Sequence, residues 1–135
     1  MFEAKGVDWK EIPEGEPLFC ASSDGRGFAV SGGVAEAVVH AVKRIDPDRE
    51  VKVMSAEGLQ NCKKMLQMAK IGKYDGYLLE GMACPGGCVA GAGTIQTVKK
   101  AAAALEKMKK EASFTDAYDS KYRARLESLE KFDVE

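Results

Sequence analysis

Two kinds of hydrophobic pattern alternate along this chain. Short apolar runs predict strands at 27–30, 51–54 and 77–80, and another apolar run lies at 18–21. Longer segments between them carry apolar residues at every third or fourth position, which predicts helices. Strands that alternate with helices of this length favour βαβ crossovers. The pattern therefore predicts an α/β fold with an open, mainly parallel sheet of three to four strands and flanking helices.

The first two predicted helices are amphipathic, and a serine precedes each. Ser31 is the candidate N-cap of one helix and Ser55 of the next, because a serine hydroxyl can accept a hydrogen bond from the first turn. The first helix stops before Pro47 and the second near Gly72. Their apolar stripes comprise Val34, Val38, Ala41, Val42 and Ile45 in one, and Leu59, Cys62, Leu66 and Ala69 in the other.

The chain is expected to fall into three parts. Residues 1–17, rich in proline and glycine, form a lead-in segment, and residues 18–112 form the α/β lobe, which closes with an alanine- and lysine-rich helix from about Thr94. Residues 113–135 are predicted to form a C-terminal amphipathic helix. Its apolar stripe comprises Tyr118, Tyr122, Leu126 and Leu129.

Composition narrows the classes of function. The chain has 135 residues, 45% of them hydrophobic and 30% charged, as in a single globular domain. A net charge of −1 gives no electrostatic reason to expect nucleic acid or an anionic membrane as a partner. Neither a signal peptide nor a membrane span is expected, so the four cysteines are interpreted as reduced thiols or metal ligands in a cytoplasmic protein.

The strongest candidate for a functional site is a glycine-rich segment with two cysteines that follows the third predicted strand. Its sequence is Met82-Ala83-Cys84-Pro85-Gly86-Gly87-Cys88. Ligand sites of parallel sheets form beyond the carboxyl ends of the strands. The loop is also expected to open a helix, whose free N–H groups favour thiolates and anionic clusters. Glycines let the backbone approach a bulky inorganic group closely. The loop therefore favours an iron–sulfur or related metal centre.

Other interpretations of the polar and sulfur residues stay open at this point. The CxxxC spacing differs from the CxxC of thiol–disulfide exchange, and a structural zinc site would need four ligands. The further candidates for such a site are Cys20, Cys62 and His40. Two unrelated buried thiols are a third interpretation, because a free cysteine is often a small core residue. Cys62 is expected in the core and His40 in solvent. Two interpretations of a lysine run stay open, a docking patch for an acidic electron carrier and a solvated helix face. The run comprises Lys99, Lys100, Lys107, Lys109 and Lys110.

The segment Glu80-Gly81-Met82-Ala83-Cys84-Pro85-Gly86-Gly87-Cys88 closely resembles the third cluster-binding motif of the [FeFe]-hydrogenase (iron-only hydrogenase) catalytic domain. The resemblance extends to residues 28–37, where a small-residue turn precedes a helix, and to residues 51–69. Gly6-Val7-Asp8 and Ile12-Pro13 fit the lead-in to the same half of that domain. The chain thus resembles the C-terminal part of the catalytic domain.

The resemblance implies roles for individual residues. Cys84 matches a ligand of a [4Fe–4S] cubane, and Cys88 matches the cysteine that ligates the cubane and bridges to a di-iron unit carrying CO and cyanide. Met82 matches a methionine that lines the di-iron pocket. The turn that would form part of the pocket wall includes Phe28, Ala29 and Ser31.

The implied activity is reversible reduction of protons to dihydrogen with ferredoxin as electron partner. The H-cluster, comprising the cubane and the di-iron unit, is expected in a full-length parent that also contains the N-terminal half of the domain. The isolated chain is expected to be inactive and without cofactor. A hydrogen-sensing or electron-relay protein of the same family is the first alternative, and a stand-alone redox or zinc-binding module is the second.

Two departures from the family pattern accompany the resemblance. The two earlier motifs that supply the other cubane ligands do not occur in this sequence. The family commonly continues after the cysteine motif with Gly-Gly-Gly-Gln-Pro, whereas this chain has Gly91-Ala92-Gly93-Thr94-Ile95. The second departure is typical of a divergent subgroup.

Overall fold

The computed structural model describes residues 3–8, 10–13, 15, 20–120, 122 and 123. Within these ranges the backbone forms four α-helices, two strands and three single turns of 3-10 helix. In chain order the helices and strands are α1 Ser23–Gly27, α2 Gly33–Ile45, β1 Lys52–Glu57, α3 Leu59–Lys70, β2 Tyr77–Met82 and α4 Val98–Lys110. The 3-10 turns are Glu3–Lys5, Cys88–Ala90 and Ala117–Asp119.

The two strands form a parallel sheet whose register runs from Lys52 opposite Tyr77 to Glu57 opposite Met82. Helix α3 connects them and packs on both strands, while α2 packs on β2. The predicted α/β class with a parallel sheet and flanking helices is thereby confirmed. The strands predicted at 51–54 and 77–80 are present, and each continues further at its carboxyl end.

The number of strands differs from the prediction of three to four, because the described residues contribute two. The stretch 27–30, predicted as a strand, is the end of α1 followed by a turn. Ser22 explains the difference: its hydroxyl accepts from Gly25 N at 2.9 Å and its carbonyl accepts from Arg26 N at 3.0 Å. This capping stabilises a helical turn locally, whereas a strand would need a neighbour to pair with.

Three predicted helix starts were wrong. The N-cap of α2 is Gly32 rather than Ser31, and Gly58 rather than Ser55 precedes α3, with Ser55 inside β1. Neither glycine has a side chain to cap with. The last helix begins at Val98 instead of Thr94, where the Thr97 hydroxyl accepts from Lys100 N.

Little apolar surface is fully enclosed. Among the described residues the buried hydrophobic side chains are Ala35, Ala56 and Met65, the last 5% exposed. The predicted apolar stripe of α3 is divided: Cys62 is half-buried against the sheet, but Leu59 and Leu66 are 73% and 59% exposed. The prediction failed for the two leucines because the side of α3 that carries Met65 packs on the sheet. Leu59 and Leu66 therefore face away from it.

Polar contacts hold α1 in place. Asp24 is buried, and both of its carboxylate oxygens lie 2.9 Å from His40 Nδ1 on α2. His40 was expected in solvent; its ring is instead half-buried against α1. The backbone N–H groups of Ser23 and Asp24 donate to the carbonyls of Phe114 and Thr115, both at 2.9 Å. The segment after α4 therefore closes over the start of α1.

An ion-pair cluster attaches the last described segment to α2. The Arg44 guanidinium donates to Asp116 at 2.8 Å and to Asp119 at 2.8 and 3.1 Å. These hydrogen bonds raise the pKa of Arg44, and the bond from Arg44 lowers the pKa of the Asp119 carboxyl. Tyr118 begins the predicted C-terminal stripe and lies under the Arg123 guanidinium; Leu126 and Leu129 lie outside the described residues.

Candidate metal centre at the cysteine loop

The carboxyl ends of the two strands define the place of the site. Glu57 and Met82 are register partners, so β1 and β2 end side by side. The Gly58 N–H donates to the Met82 carbonyl at 2.8 Å, which continues the pairing past the last residue of β1. The cysteine loop leaves the sheet at this edge, as expected for ligand sites of parallel sheets.

The cysteine loop is a tight turn followed by one turn of 3-10 helix. Gly87 N donates to the Cys84 carbonyl at 2.9 Å, and Gly86 and Gly87 have φ of +88° and +89°, values that favour glycine. Cys88 begins the 3-10 turn. The α-helix expected to open at the loop begins ten residues later, so the helix-dipole argument made from the sequence does not apply to Cys88.

The two thiols differ in exposure. Cys84 is half-buried, and its Sγ lies 3.8 Å from the position a Cβ would take on Gly91, whereas Cys88 is exposed. Met82, at the end of β2, is half-buried and lines a groove with Val34 and Val38 of α2. Of the two thiols, that of Cys88 is therefore the more accessible.

The turn at residues 28–31 lies directly against the loop. A Cβ on Gly87 would come within 2.6 Å of both the Ala29 carbonyl oxygen and the Ser31 nitrogen. Val89 N also donates to the Ala29 carbonyl at 3.1 Å. Phe28 is 47% exposed at the start of this turn. The structure therefore brings Ala29 and Ser31 of the turn against the loop that carries Cys84 and Cys88, although about 50 positions separate the two segments.

Two carboxylates that the sequence analysis did not assign to the site hold these segments. Glu57 accepts from Gly86 N at 2.6 Å. Glu80, 8% exposed, accepts from the N–H groups of Gly32, Val34 and Ala35. The sequence offers one signal for Glu80: it is an acidic residue that directly follows the apolar run Tyr77-Leu78-Leu79.

The donor set at the loop comprises two thiols. Across the part of the chain that the structure describes, no three side chains of His, Cys, Asp or Glu come together in a group able to hold a metal ion. Cys62 lies near Gly81, but its Sγ is directed at the carbonyls of Ala56 and Met82, at 3.5 and 3.6 Å. A four-ligand centre at this loop would take its remaining ligands from outside the described residues.

The five lysines of the predicted docking patch differ in their surroundings. Lys109 packs over Gly27 and pairs with Glu36 at 3.3 Å and Glu106 at 3.6 Å. Partial burial lowers its pKa, but the hydrogen bonds and charges of both glutamates outweigh this and raise it. The other predicted patch residues are exposed, namely Lys99, Lys100, Lys107 and Lys110.

Comparison with known proteins assigns the chain to a family. Residues 1–92 match the family model described as the iron only hydrogenase large subunit, C-terminal domain. The matched stretch includes the turn at 28–31, both strands and the whole cysteine loop. The chain belongs to the iron-only hydrogenase large-subunit family. The resemblance identified from the cysteine motif is thereby confirmed.

A curated relative in this family gives the scale of the match. The periplasmic [Fe] hydrogenase large subunit of Nitratidesulfovibrio vulgaris is 31% identical over 122 residues, which covers 69% of this chain and 29% of the relative. The chain thus spans less than a third of that relative's length. In the described ranges, no helix has the length and apolar character needed to cross a membrane.

Proposed function

We propose that this chain is the cluster-bearing C-terminal lobe of an [FeFe]-hydrogenase-like protein, in which Cys84 and Cys88 ligate the H-cluster. The supporting observation is the position of the cysteine loop. It lies at the carboxyl edge of two parallel strands, packed against the turn at 28–31, inside the stretch that matches the family. Cys88 is assigned the bridging position between the [4Fe–4S] cubane and the di-iron unit.

The residues present fit part of such a group. Iron–sulfur clusters are held by cysteine thiolates. The loop offers two thiols, one half-buried and one exposed, and its glycines carry no side chains that would keep a cluster away from the backbone. The missing third and fourth ligands require a second lobe. The N-terminal half of the same domain is the proposed partner, and the chain alone is expected to be inactive and without cofactor.

When bound, the H-cluster supplies the redox chemistry by which protons and dihydrogen interconvert. The protein's part is to shape the pocket. Met82 is assigned to its lining, and the wall includes Phe28, Ala29 and Ser31. Backbone N–H groups near the loop would tune the potential through hydrogen bonds to cluster sulfur. Ferredoxin is the proposed electron donor and acceptor of the full-length protein.

The first test is infrared spectroscopy of the matured full-length protein. Bands from metal-bound CO and cyanide are expected, and Cys88→Ala should abolish them. Cys62→Ala is the matched control, since that thiol is directed at two strand carbonyls, and it should retain the bands. Their absence after full maturation of the wild-type protein would contradict the proposal, as would bands that persist unchanged in Cys88→Ala.

A hydrogen-sensing or electron-relay role at the same site is the second candidate. The observation that favours it is the departure from the family pattern at residues 91–95, where Ile95 is 98% exposed. Turnover assays on the matured protein separate the two functions. An enzyme evolves dihydrogen with reduced ferredoxin at many turnovers, whereas a sensor shows the infrared bands with little turnover.

The compartment is a separate proposal. Cys20, Cys62, Cys84 and Cys88 are free thiols, which supports a reducing, cytoplasmic location. The relative from Nitratidesulfovibrio vulgaris carries the word periplasmic in its name. Fractionation of the native cells, followed by immunodetection of the full-length protein, decides between the two compartments.

A further inference from the structure

Glu80 connects two elements that are far apart in the sequence. Its buried carboxylate, on β2, accepts from Gly32 N at 2.5 Å, Val34 N at 3.0 Å and Ala35 N at 3.1 Å. The first N–H groups of a helix have no partner within the helix, and a negative charge at that end is favourable. Glu80 thus caps α2 from another element, at a helix start that has no side-chain cap of its own.

The contact does not end at the helix. Gly32 directly follows the turn at 28–31, whose backbone touches the cysteine loop at Gly87 and accepts from Val89 N. Glu80 itself lies four residues before Cys84 on the same continuous strand and loop. The chain therefore closes a ring: strand β2, the Glu80 carboxylate, the turn, and back to the loop through Gly87 and Val89.

We propose that Glu80 is a positioning residue that pre-forms the cysteine half-site before any cluster or second lobe arrives. It fixes the turn at 28–31 against the loop, and the turn in turn fixes the backbone on either side of Cys88. The effect of Glu80 on a bound cluster rests on the proposed function. The ring of contacts stands independently of that function.

If Glu80 only capped α2, its loss would affect only the amides that it accepts from. Positioning of the loop would also affect amides that do not touch it. Amide hydrogen exchange, followed by nuclear magnetic resonance on the complete 135-residue chain, reports each N–H separately. Glu80→Gln keeps the size of the side chain but removes the charge, and its amide group faces N–H donors. Exchange at Gly32, Val34 and Ala35 should accelerate at least about tenfold, because hydrogen bonds to a charged group are among the stronger ones.

The deciding amide is Val89 N, which does not touch Glu80. Positioning predicts that its exchange also accelerates several-fold in Glu80→Gln. Acceleration that stops at the three capped amides, with Val89 protected as in the wild type, would overturn the proposal and leave Glu80 as a helix cap. Unchanged exchange at every site would overturn it as well.

Two matched variants control for general loosening. Glu50→Gln makes the same chemical change at an exposed position before β1 and should alter none of these amides. Glu57→Gln removes the negative charge from the acceptor of Gly86 N and should accelerate exchange of that amide while leaving Gly32, Val34 and Ala35 unchanged. If Glu80→Gln does not fold, Glu80→Asp is measured instead: it keeps the charge but withdraws it by one methylene, and the same pattern is expected at smaller amplitude.

A second readout concerns the loaded protein. In the matured full-length protein, Glu80→Gln should shift the CO and cyanide bands relative to the wild type, while Glu50→Gln should not. If the wild-type protein shows the bands and Glu80→Gln shows them at the same positions, the positioning role at the cluster is overturned. Wild-type protein without bands would contradict the proposed function instead, and the exchange data would still decide the role of Glu80.

Discussion

The carboxyl edge of the sheet is held by many specific contacts, whereas the outer side of α3 makes few. At the edge, directed hydrogen bonds from Glu57 and Glu80 and a backbone-to-backbone fit at Gly87 fix each segment. On α3, Leu59 and Leu66 face outward with nothing described over them. The chain is thus tightly held at the edge that carries the thiols, whereas the outer side of α3 exposes apolar surface.

The largest expected effect is at Gly87, where the edge has no room for a side chain. Gly87→Ala adds a Cβ at φ +89° and within 2.6 Å of two backbone atoms of the turn. Strain at positive φ and overpacking together should lower the free energy of unfolding by about 2–5 kcal/mol. Urea denaturation of the complete chain measures the loss.

Gly76 provides the matched control for that substitution. Its φ is +75°, but a Cβ there would meet nothing within 4 Å. Gly76→Ala should therefore cost about 1–2 kcal/mol, from the positive φ alone. Equal losses at both glycines would show that the loop and the turn are not in tight contact.

Helix α3 offers an internal pair of smaller effects. Met65→Ala removes a buried side chain and should cost about 2 kcal/mol, at the low end for such changes because the surroundings are open enough to relax. Leu66→Ala, one residue further on, should change the stability of this chain by less than about 0.5 kcal/mol.

The same two variants, made in the full-length protein, test whether another part of the protein covers the leucine side of α3. If a second lobe covers the leucine side of α3, Leu66→Ala becomes destabilising there although it is neutral in the chain alone. Thermal unfolding of both proteins measures this difference. A large loss from Leu66→Ala in the chain alone would mean that residues of this chain already cover the face.

The smallest effect concerns pH. Because Arg44 lowers the pKa of Asp119 below its ordinary value of 3.8, the ion pair stabilises the last described segment at neutral pH. This contribution is present above the unfolded-state pKa and is lost as the pH falls through the lower, folded-state pKa. A carbon-detected titration of the Asp119 carboxyl should show its midpoint below 3.8, and Arg44→Ala should return it to the ordinary range.

An unaltered Asp119 midpoint in Arg44→Ala would mean that the pair is not formed in solution. The exposed position of both groups keeps the expected effect on stability small. No change at the cysteine loop is expected from this variant, which separates the two regions once more.

The sequence predicted the helices α2 and α3, the strands β1 and β2 and the cysteine loop because each depends on local hydrophobic periodicity. It failed at 27–30, where capping by Ser22 competes with an extended conformation. The start of α2 could not be assigned correctly because its cap, Glu80, comes from a strand 48 positions from Gly32. Contacts between residues so far apart in the chain do not show in the spacing of its hydrophobic residues.

The candidate site shows the same limit. The motif identified Cys84 and Cys88 directly from their glycine-rich context, and the resemblance supplied the turn at 28–31. Glu57 was not identified because its contact with Gly86 depends on strand register, which fixes where β1 ends relative to β2. Local chemistry is readable from a sequence, whereas the supports of a site depend on which elements the fold places side by side.

The two-stranded sheet has a consequence for handling the chain. Within the described residues, β1 and β2 are each other's sole neighbours, so each strand has an outer edge of unpaired N–H and C=O groups. Such edges are templates for pairing with another copy, and the aliphatic side chains along them add adhesion. A preparation of this chain alone is therefore expected to self-associate as concentration rises, with light scattering as the readout. If the proposed N-terminal lobe pairs with these edges, co-expression with that lobe should suppress the self-association.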